Sequence, residues 1–251
     1  MSELKKISPS DIELIRDCMF WTSEAWSKPF IELLQNNKLI SEAETFIEIG
    51  AGSQSSLSPF FLSLGKKTTC SYFFSDMSEY YSEDYLEKIK IRNNYILEKH
   101  KIRGEIEYRK MDIFELQGEY DIIFLKSILG GLFRYGQGNI SDANSLIASL
   151  TSNNLTTEGQ LITIDNGRSF FEGGLERLGQ RKNKWRYFNK SDLKGYSQLY
   201  FFGFVTAFSI KTRNLFLGII FEKIMYFIDL ILERILDNNT PTVILKVFKK
   251  E

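Results

Sequence analysis

Between residues 45 and 165, short apolar runs alternate with longer helical patterns, and few folds accept that rhythm. The runs are TFIEI (45–49), TTCSYFF (68–74), EIEYRKM (105–111), YDIIFL (120–125) and QLITID (160–165). Helical patterns follow the first to about Leu64, the second to about His100 and the fourth to about Leu150. Such units close as right-handed crossovers, and successive crossovers build a parallel sheet with helices on both faces. The expected class is therefore α/β, doubly wound and mainly parallel. Two later β-like runs, FGFVTAFSI (202–210) and TVILKVFKK (242–250), close the chain. Residues 10–40 read as helical, with Asp11 as a cap and Trp21, Trp26, Phe30 and Leu33 as apolar markers. This divides the chain into a helical segment, 1–43, and one domain, 44–251, with no repeat or Pro/Gly-rich linker.

Ligands of such sheets bind beyond the carboxyl ends of the strands. The residues just after each run are distinctive. After the first comes Glu48-Ile49-Gly50-Ala51-Gly52-Ser53-Gln54. Gly50 permits a tight turn, and Gly52 lets a ligand approach the backbone. A dinucleotide loop would carry another glycine three positions after Gly52, but Ser55 stands there. Glu48 would also face a pyrophosphate unfavourably, whereas it suits a ligand carrying positive charge; taken alone it could equally be a cap or a pair partner, as Asp76 or Asp112 alone could cap the helix that follows. After the second run comes Ser75-Asp76-Met77-Ser78, with Asp76 placed to accept hydrogen bonds from both hydroxyls of a ribose. After the third comes Asp112, able to accept from an adenine amino group while Ile113 and Phe114 pack near the ring. After the fourth comes Lys126-Ser127-Ile128-Leu129-Gly130-Gly131.

This set resembles the class I S-adenosylmethionine-dependent methyltransferases. Their first motif, an acid-x-Gly-x-Gly turn, is matched by Glu48, Gly50 and Gly52, with Ala51 between the glycines. The family's ribose-binding acid is matched by Asp76, beside Met77, and its adenine-side acid by Asp112, beside Ile113. Its usual third glycine is Gln54 here, a departure that makes Gln54 a candidate contact to the cofactor's methionine tail. The resemblance implies S-adenosyl-L-methionine as cofactor and a seven-stranded sheet whose last strand is antiparallel. WRYFNKSDLKGY followed by FFGFVTAF looks more loosely like the subset acting on small molecules or surface glycans.

Methyl transfer is an in-line displacement, so the protein mainly holds acceptor and methyl in line. A hydroxyl acceptor benefits from a base. The chain's one histidine, His100, falls at the end of the sheet away from the ligand. Asp165, Asn166 and Arg168 follow the fifth run directly. Asp165 is expected as base or acceptor orienter and Arg168 as the holder of an anionic group, although Asp-Asn-Gly is also turn chemistry. Lys126 is expected against cofactor or acceptor. An acceptor-side insertion spans about 166–195. Within it Arg177, Arg181, Lys182, Lys184, Arg186 and Lys190 form a basic lid or a solvated loop, and Trp185 and Tyr187 offer flat faces.

The expected function is methyl transfer to an oxygen on a small molecule or glycan, anionic in one version. The rivals are an N-methyltransferase, a non-catalytic partner of the same fold and a nicotinamide-dependent reductase. Lys+Arg and Asp+Glu are equal at 32 each, so nothing steers a nucleic acid here. Two distant cysteines, Cys18 and Cys70, lack metal-ligand spacing and fit a reduced, cytoplasmic setting. The apolar 215–236 stretch is interrupted by five charges, which excludes a span. Glu222, Tyr226, Asp229 and Glu233 form one polar stripe on it. It reads as a helix packed on the body, a homodimer contact or a peripheral membrane helix, the last opposed by its net charge of −1.

Overall fold

The computed structural model describes residues 7–19, 23–52, 55–73, 83–134, 136–167, 185–203, 215–235 and 241–250. The strands are β1 (Thr45–Ile49), β2 (Lys67–Phe73), β3 (Glu107–Met111), β4 (Tyr120–Lys126), β5 (Leu155–Asn166), β6 (Gln198–Phe202) and β7 (Val243–Lys249). They form one seven-stranded sheet in the order β3-β2-β1-β4-β5-β7-β6. β1 to β5 pair in parallel, and β7 runs antiparallel to both β5 and β6. This is the doubly wound class that the alternation predicts. The order reverses between β1 and β4, which is where ligands enter such sheets.

The inner strands are apolar on both faces because both faces are covered. β1 sends Phe46 to one side and Ile47 and Ile49 to the other; β4 divides Ile122 and Phe124 from Ile123 and Leu125 in the same way. The first side packs under α1 (Pro9–Cys18), α2 (Ser23–Asn36), α3 (Leu39–Glu42) and α4 (Ser58–Ser63). Its centre is aromatic: Phe46 and Phe61 stack at 3.6 Å, and Phe30 meets Phe124 edge-on at 5.8 Å. Cys18 and Cys70 are fully buried, and burial pushes both thiols well above their ordinary range. α5 (Glu83–Lys99) packs Ile89 near Cys70 and Ile106. The second side is closed by α6 (Ile128–Leu132) and α7 (Ile140–Asn154). α8 (Leu215–Ile235) stands in the chain between β6 and β7.

Several expectations are corrected. Asp11 does not cap α1. Ser8 does, accepting from the Asp11 amide, while the Asp11 carboxylate accepts from the Ser8 amide in a reciprocal box. The helix after β1 does end where the pattern places it, with Leu64 as its C-cap, and it begins at Ser58. The strand read at 202–210 lies upstream, at Gln198–Phe202; only Phe202 is shared, and 204–210 fall outside the described residues. The polar stripe of α8 faces inward in part: Asp229 is fully buried and Tyr226 packs on Phe202, while Ile220, Ile224, Phe227 and Ile231 are exposed. No helix among the described residues is long and apolar enough to cross a membrane.

Candidate active site

The parallel register lines the strand ends along one edge. Ile49 pairs with Ser71 and Leu125, Phe73 with Met111, and Lys126 with Ile164. Gly50, Gly52, Asp112, Lys126 and Asp165 therefore all leave the sheet on that side.

Gly50 turns the chain out of β1 with φ of 77°, a left-handed backbone that favours glycine. Gly52 and Ser55 then exchange backbone hydrogen bonds at 2.9 and 3.0 Å, closing a two-residue hairpin. Among the described residues, an added Cβ at Gly52 would meet nothing nearer than Ser55 Oγ at 3.5 Å, its carbonyl at 3.6 Å and the Tyr85 hydroxyl at 3.8 Å, which are ordinary contacts.

Glu48 takes the capping place, one of the readings open to it. Its carboxylate is 1% exposed and turned behind the loop. It accepts from Ser56 Oγ (2.6 Å), Ser58 Oγ (2.7 Å) and the amides of Leu57 and Ser58 (both 3.0 Å). Burial raises its pKa, and these donors oppose the shift. The acid thus caps the start of α4 and pins the loop. It also sits where a dinucleotide's pyrophosphate would need the helix N–H groups, so the loop is closed to that ligand.

Lys126 and Asp165 leave opposite faces of the sheet. Lys126 lies on the α2 side, with Nζ donating to Ser55 Oγ (2.9 Å) and standing 4.5 Å from the centre of the Trp26 ring. Burial pushes its pKa down to about 8, against the pull of Glu48 and Asp165. The next residue, Ser127, is held at φ of 57°, a left-handed conformation unusual for a side chain and common at functional sites. Asp165 lies on the α6 side, 2% exposed, with Oδ1 accepting from the Gly130 amide at 3.3 Å. Its Oδ2 is buried with no hydrogen-bond partner among the described residues. Burial pushes this carboxyl up to about 7, opposed by the Gly130 amide, Lys126 and Lys246. A carboxylate with one free lone-pair side and a pKa near neutrality can take a proton.

Asp112 follows β3, and its Oδ1 accepts from the Phe114 amide at 2.9 Å, capping a short turn at Ile113–Glu115. Ile113 is buried and Phe114 is 62% exposed beside it. Gln54, Asp76, Met77 and Arg168 fall outside the described residues, as do Arg177, Arg181, Lys182 and Lys184. Arg186 is not part of an anion grip: its guanidinium donates to the carbonyls of Phe133 (2.7 Å) and Gly138 (2.6 Å). Trp185 lies on α6, where a Cβ at Gly131 would come within 3.0 Å of its ring. Trp26, 8% exposed, packs on the sheet as well as meeting Lys126. His100 bonds Asp17 at 2.6 Å beyond the end of α5, away from the strand ends.

Lys246 escaped sequence reading. It is 1% exposed on β7, and Nζ donates to the carbonyls of Lys190 (2.8 Å), Asp192 and Leu193 (3.2 Å). Burial lowers its pKa to about 8 against the pull of Asp192 and Asp165. It fixes the turn that leads from the site into β6. The signal was a lone lysine inside VILKVF, where the pattern is otherwise apolar.

No protein-family model and no curated protein sequence matches the chain. Solved structures do. Magnesium protoporphyrin IX methyltransferase from Synechocystis PCC 6803, determined with bound SAH, superposes with a TM-score of 0.52 at 14% identity, covering 95% of this chain and 86% of that one. Mitomycin 7-O-methyltransferase gives 0.48 at 13% identity, covering 88% and 58%. Geranyl diphosphate C-methyltransferase from Streptomyces coelicolor A3(2) gives 0.48 at 9% identity, covering 98% and 89%. With its strand order, its antiparallel β7 and this superposition, the chain has the Rossmann-like fold of the class I S-adenosylmethionine-dependent methyltransferases.

Proposed function

We propose that this protein is an S-adenosyl-L-methionine-dependent methyltransferase that methylates an oxygen of a small molecule or glycan in the cytoplasm. The observation carrying the reading is the turn out of β1: Gly50 in the left-handed region and Gly52 bridged to Ser55, pinned from behind by Glu48 on the helix start. That arrangement accepts a nucleoside-linked amino acid and refuses a pyrophosphate. The fold shared with a methyltransferase solved with SAH bound agrees with it.

When bound, the cofactor supplies a methyl group activated by a positively charged sulfur. The remaining work falls to the chain. Asp112 and Asp76 are assigned to adenine and ribose. Gly50, Ala51 and Gly52 bring backbone to the methionine part, with Gln54 beside them. Lys126, held by Ser55 at the same loop, is the cation for the methionine carboxylate. Asp165 receives the acceptor's proton on Oδ2, the atom that lacks a partner among the described residues. Arg168, three residues on, is assigned to an anionic group of the acceptor.

The test is methyl transfer from labelled S-adenosylmethionine to panels of hydroxylated acceptors, anionic and neutral, with amines alongside. Label appearing on oxygen acceptors supports the reading. Label confined to amines would replace it with N-methylation, and no transfer to any acceptor by a cofactor-loaded protein would leave only a binding module.

A further inference from the structure

We propose that Trp26 is a positioning residue for Lys126: its indole face holds the ammonium beside Ser55 and aims it at the carboxylate of the bound cofactor. This rests on the function proposed above and adds to it a residue of α2.

The geometry follows from two periods. Phe124 and Lys126 are two apart on β4, so they leave the same face of the sheet. Trp26 and Phe30 are four apart on α2, so they share a face of that helix one turn from each other. Phe30 meets Phe124 edge-on with ring centres 5.8 Å apart, and Trp26 meets Lys126 with Nζ 4.5 Å from its ring centre. The two contacts are successive rungs between one helix and one strand. The first rung is wholly apolar and fully buried. The second falls at the strand end and carries a cation.

That cation is held by neutral groups. Nζ has three donors; one goes to Ser55 Oγ at 2.9 Å, while the indole face attracts the charge itself. Among the described residues no carboxylate lies within ion-pair distance of it. Glu48 and Asp165 attract it from farther off, and Arg92 repels it. Glu48 is already engaged by four donors at the start of α4. A half-buried ammonium given a hydroxyl and a ring, and no anion, keeps its charge for a ligand. Trp26 is 8% exposed, so packing fixes the ring and the ring fixes the ammonium. Ser55 is bridged to Gly52, so α2, the end of β4 and the glycine turn meet at this one cation.

The experiment compares calorimetric binding of S-adenosylmethionine and decarboxylated S-adenosylmethionine, which keeps the sulfonium and the amine. The wild type should prefer the carboxylated ligand by about tenfold or more. Trp26→Leu should cut that preference by about 3- to 10-fold and leave the Kd of the decarboxylated ligand within about twofold. Trp26→Tyr returns a ring face and should restore most of the preference. Lys126→Met should abolish it, and Trp26→Leu added to Lys126→Met should change nothing further. If Trp26→Leu does not fold, a fluorinated tryptophan at position 26 alone weakens the ring face at nearly constant size, and the preference should fall in the same direction. Equal weakening of both ligands, or an unchanged preference, would overturn the role given to Trp26. A wild type that binds both ligands alike would remove Lys126 as the carboxylate's cation, and the proposal with it. A wild type that binds neither would remove the cofactor reading itself.

Discussion

Asp165 is the residue to which the proposed reaction assigns the acceptor's proton, and its titration gives a signed prediction. Its carboxyl stands at about 7 in the fold and at roughly 4 in the unfolded chain. Between those values the folded state holds the proton that the unfolded state has lost, so this group makes stability fall as pH rises from about 4 to about 7. Asp165→Asn should flatten that slope, keep or raise stability at about pH 8, and lower kcat by about 10²–10⁴-fold. Urea unfolding across that pH range and a rate assay check both halves; an unchanged kcat removes Asp165 from the mechanism. Glu48→Ala should cost about 2 kcal/mol in urea unfolding, since it strands two hydroxyls and two amides at the start of α4. The positions of Glu48, Gly50, Gly52, Asp112, Lys126 and Asp165 were legible because each follows a strand. For Glu48 the sequence leaves capping and ligand contact open together, because its donors at Ser56, Leu57 and Ser58 are brought to it by the turn bridged at Gly52 and Ser55. The Lys126–Trp26 contact was not legible, since it joins residues 100 positions apart.

Elements were read from period, and period fails where long-range contacts decide. β1 was read to the residue because TFIEI is bounded by a turn. β6 was misplaced because FGFVTAFSI is the more apolar run, yet QLYFF is what pairs with β7, in register from Gln198 opposite Val247 to Phe202 opposite Val243. Asp229 and Tyr226, turned inward on α8, invert the usual amphipathic reading at those two positions. A Gly-Gly pair in α6 costs about 1 kcal/mol per glycine in helix propensity, a signal of close approach that the Arg186 carbonyl explains at Gly130 and the Trp185 ring at Gly131. The turn at Lys190–Leu193 depends on an element far along the chain. Lys246→Met should release its three carbonyls, lower stability by about 1–3 kcal/mol and speed trypsin cleavage within residues 181–194. Cleavage at the wild-type rate would show that the turn stands without Lys246.

At the scale of the molecule, the two edges of the sheet divide labour. At the strand-start edge, Asp121 ties β4 to Glu44, Thr45 and Thr156 through hydrogen bonds of 2.8–2.9 Å. The strand-end edge keeps Asp165 Oδ2, which has no hydrogen-bond partner among the described residues, the half-buried Lys126 cation and the glycine turn at Gly50 and Gly52. Charges balanced at 32 each leave recognition to that edge rather than to a global field. A ligand bound only by the folded chain at about a hundred times its Kd should stabilise it by about 2.7 kcal/mol. The most direct measurement is a calorimetric titration of the protein with S-adenosylhomocysteine and, separately, with NADH. One site for S-adenosylhomocysteine, with Kd on the order of 10 μM, and no heat from NADH is the predicted result. No binding of S-adenosylhomocysteine at millimolar concentration, or binding of NADH in its place, would contradict it.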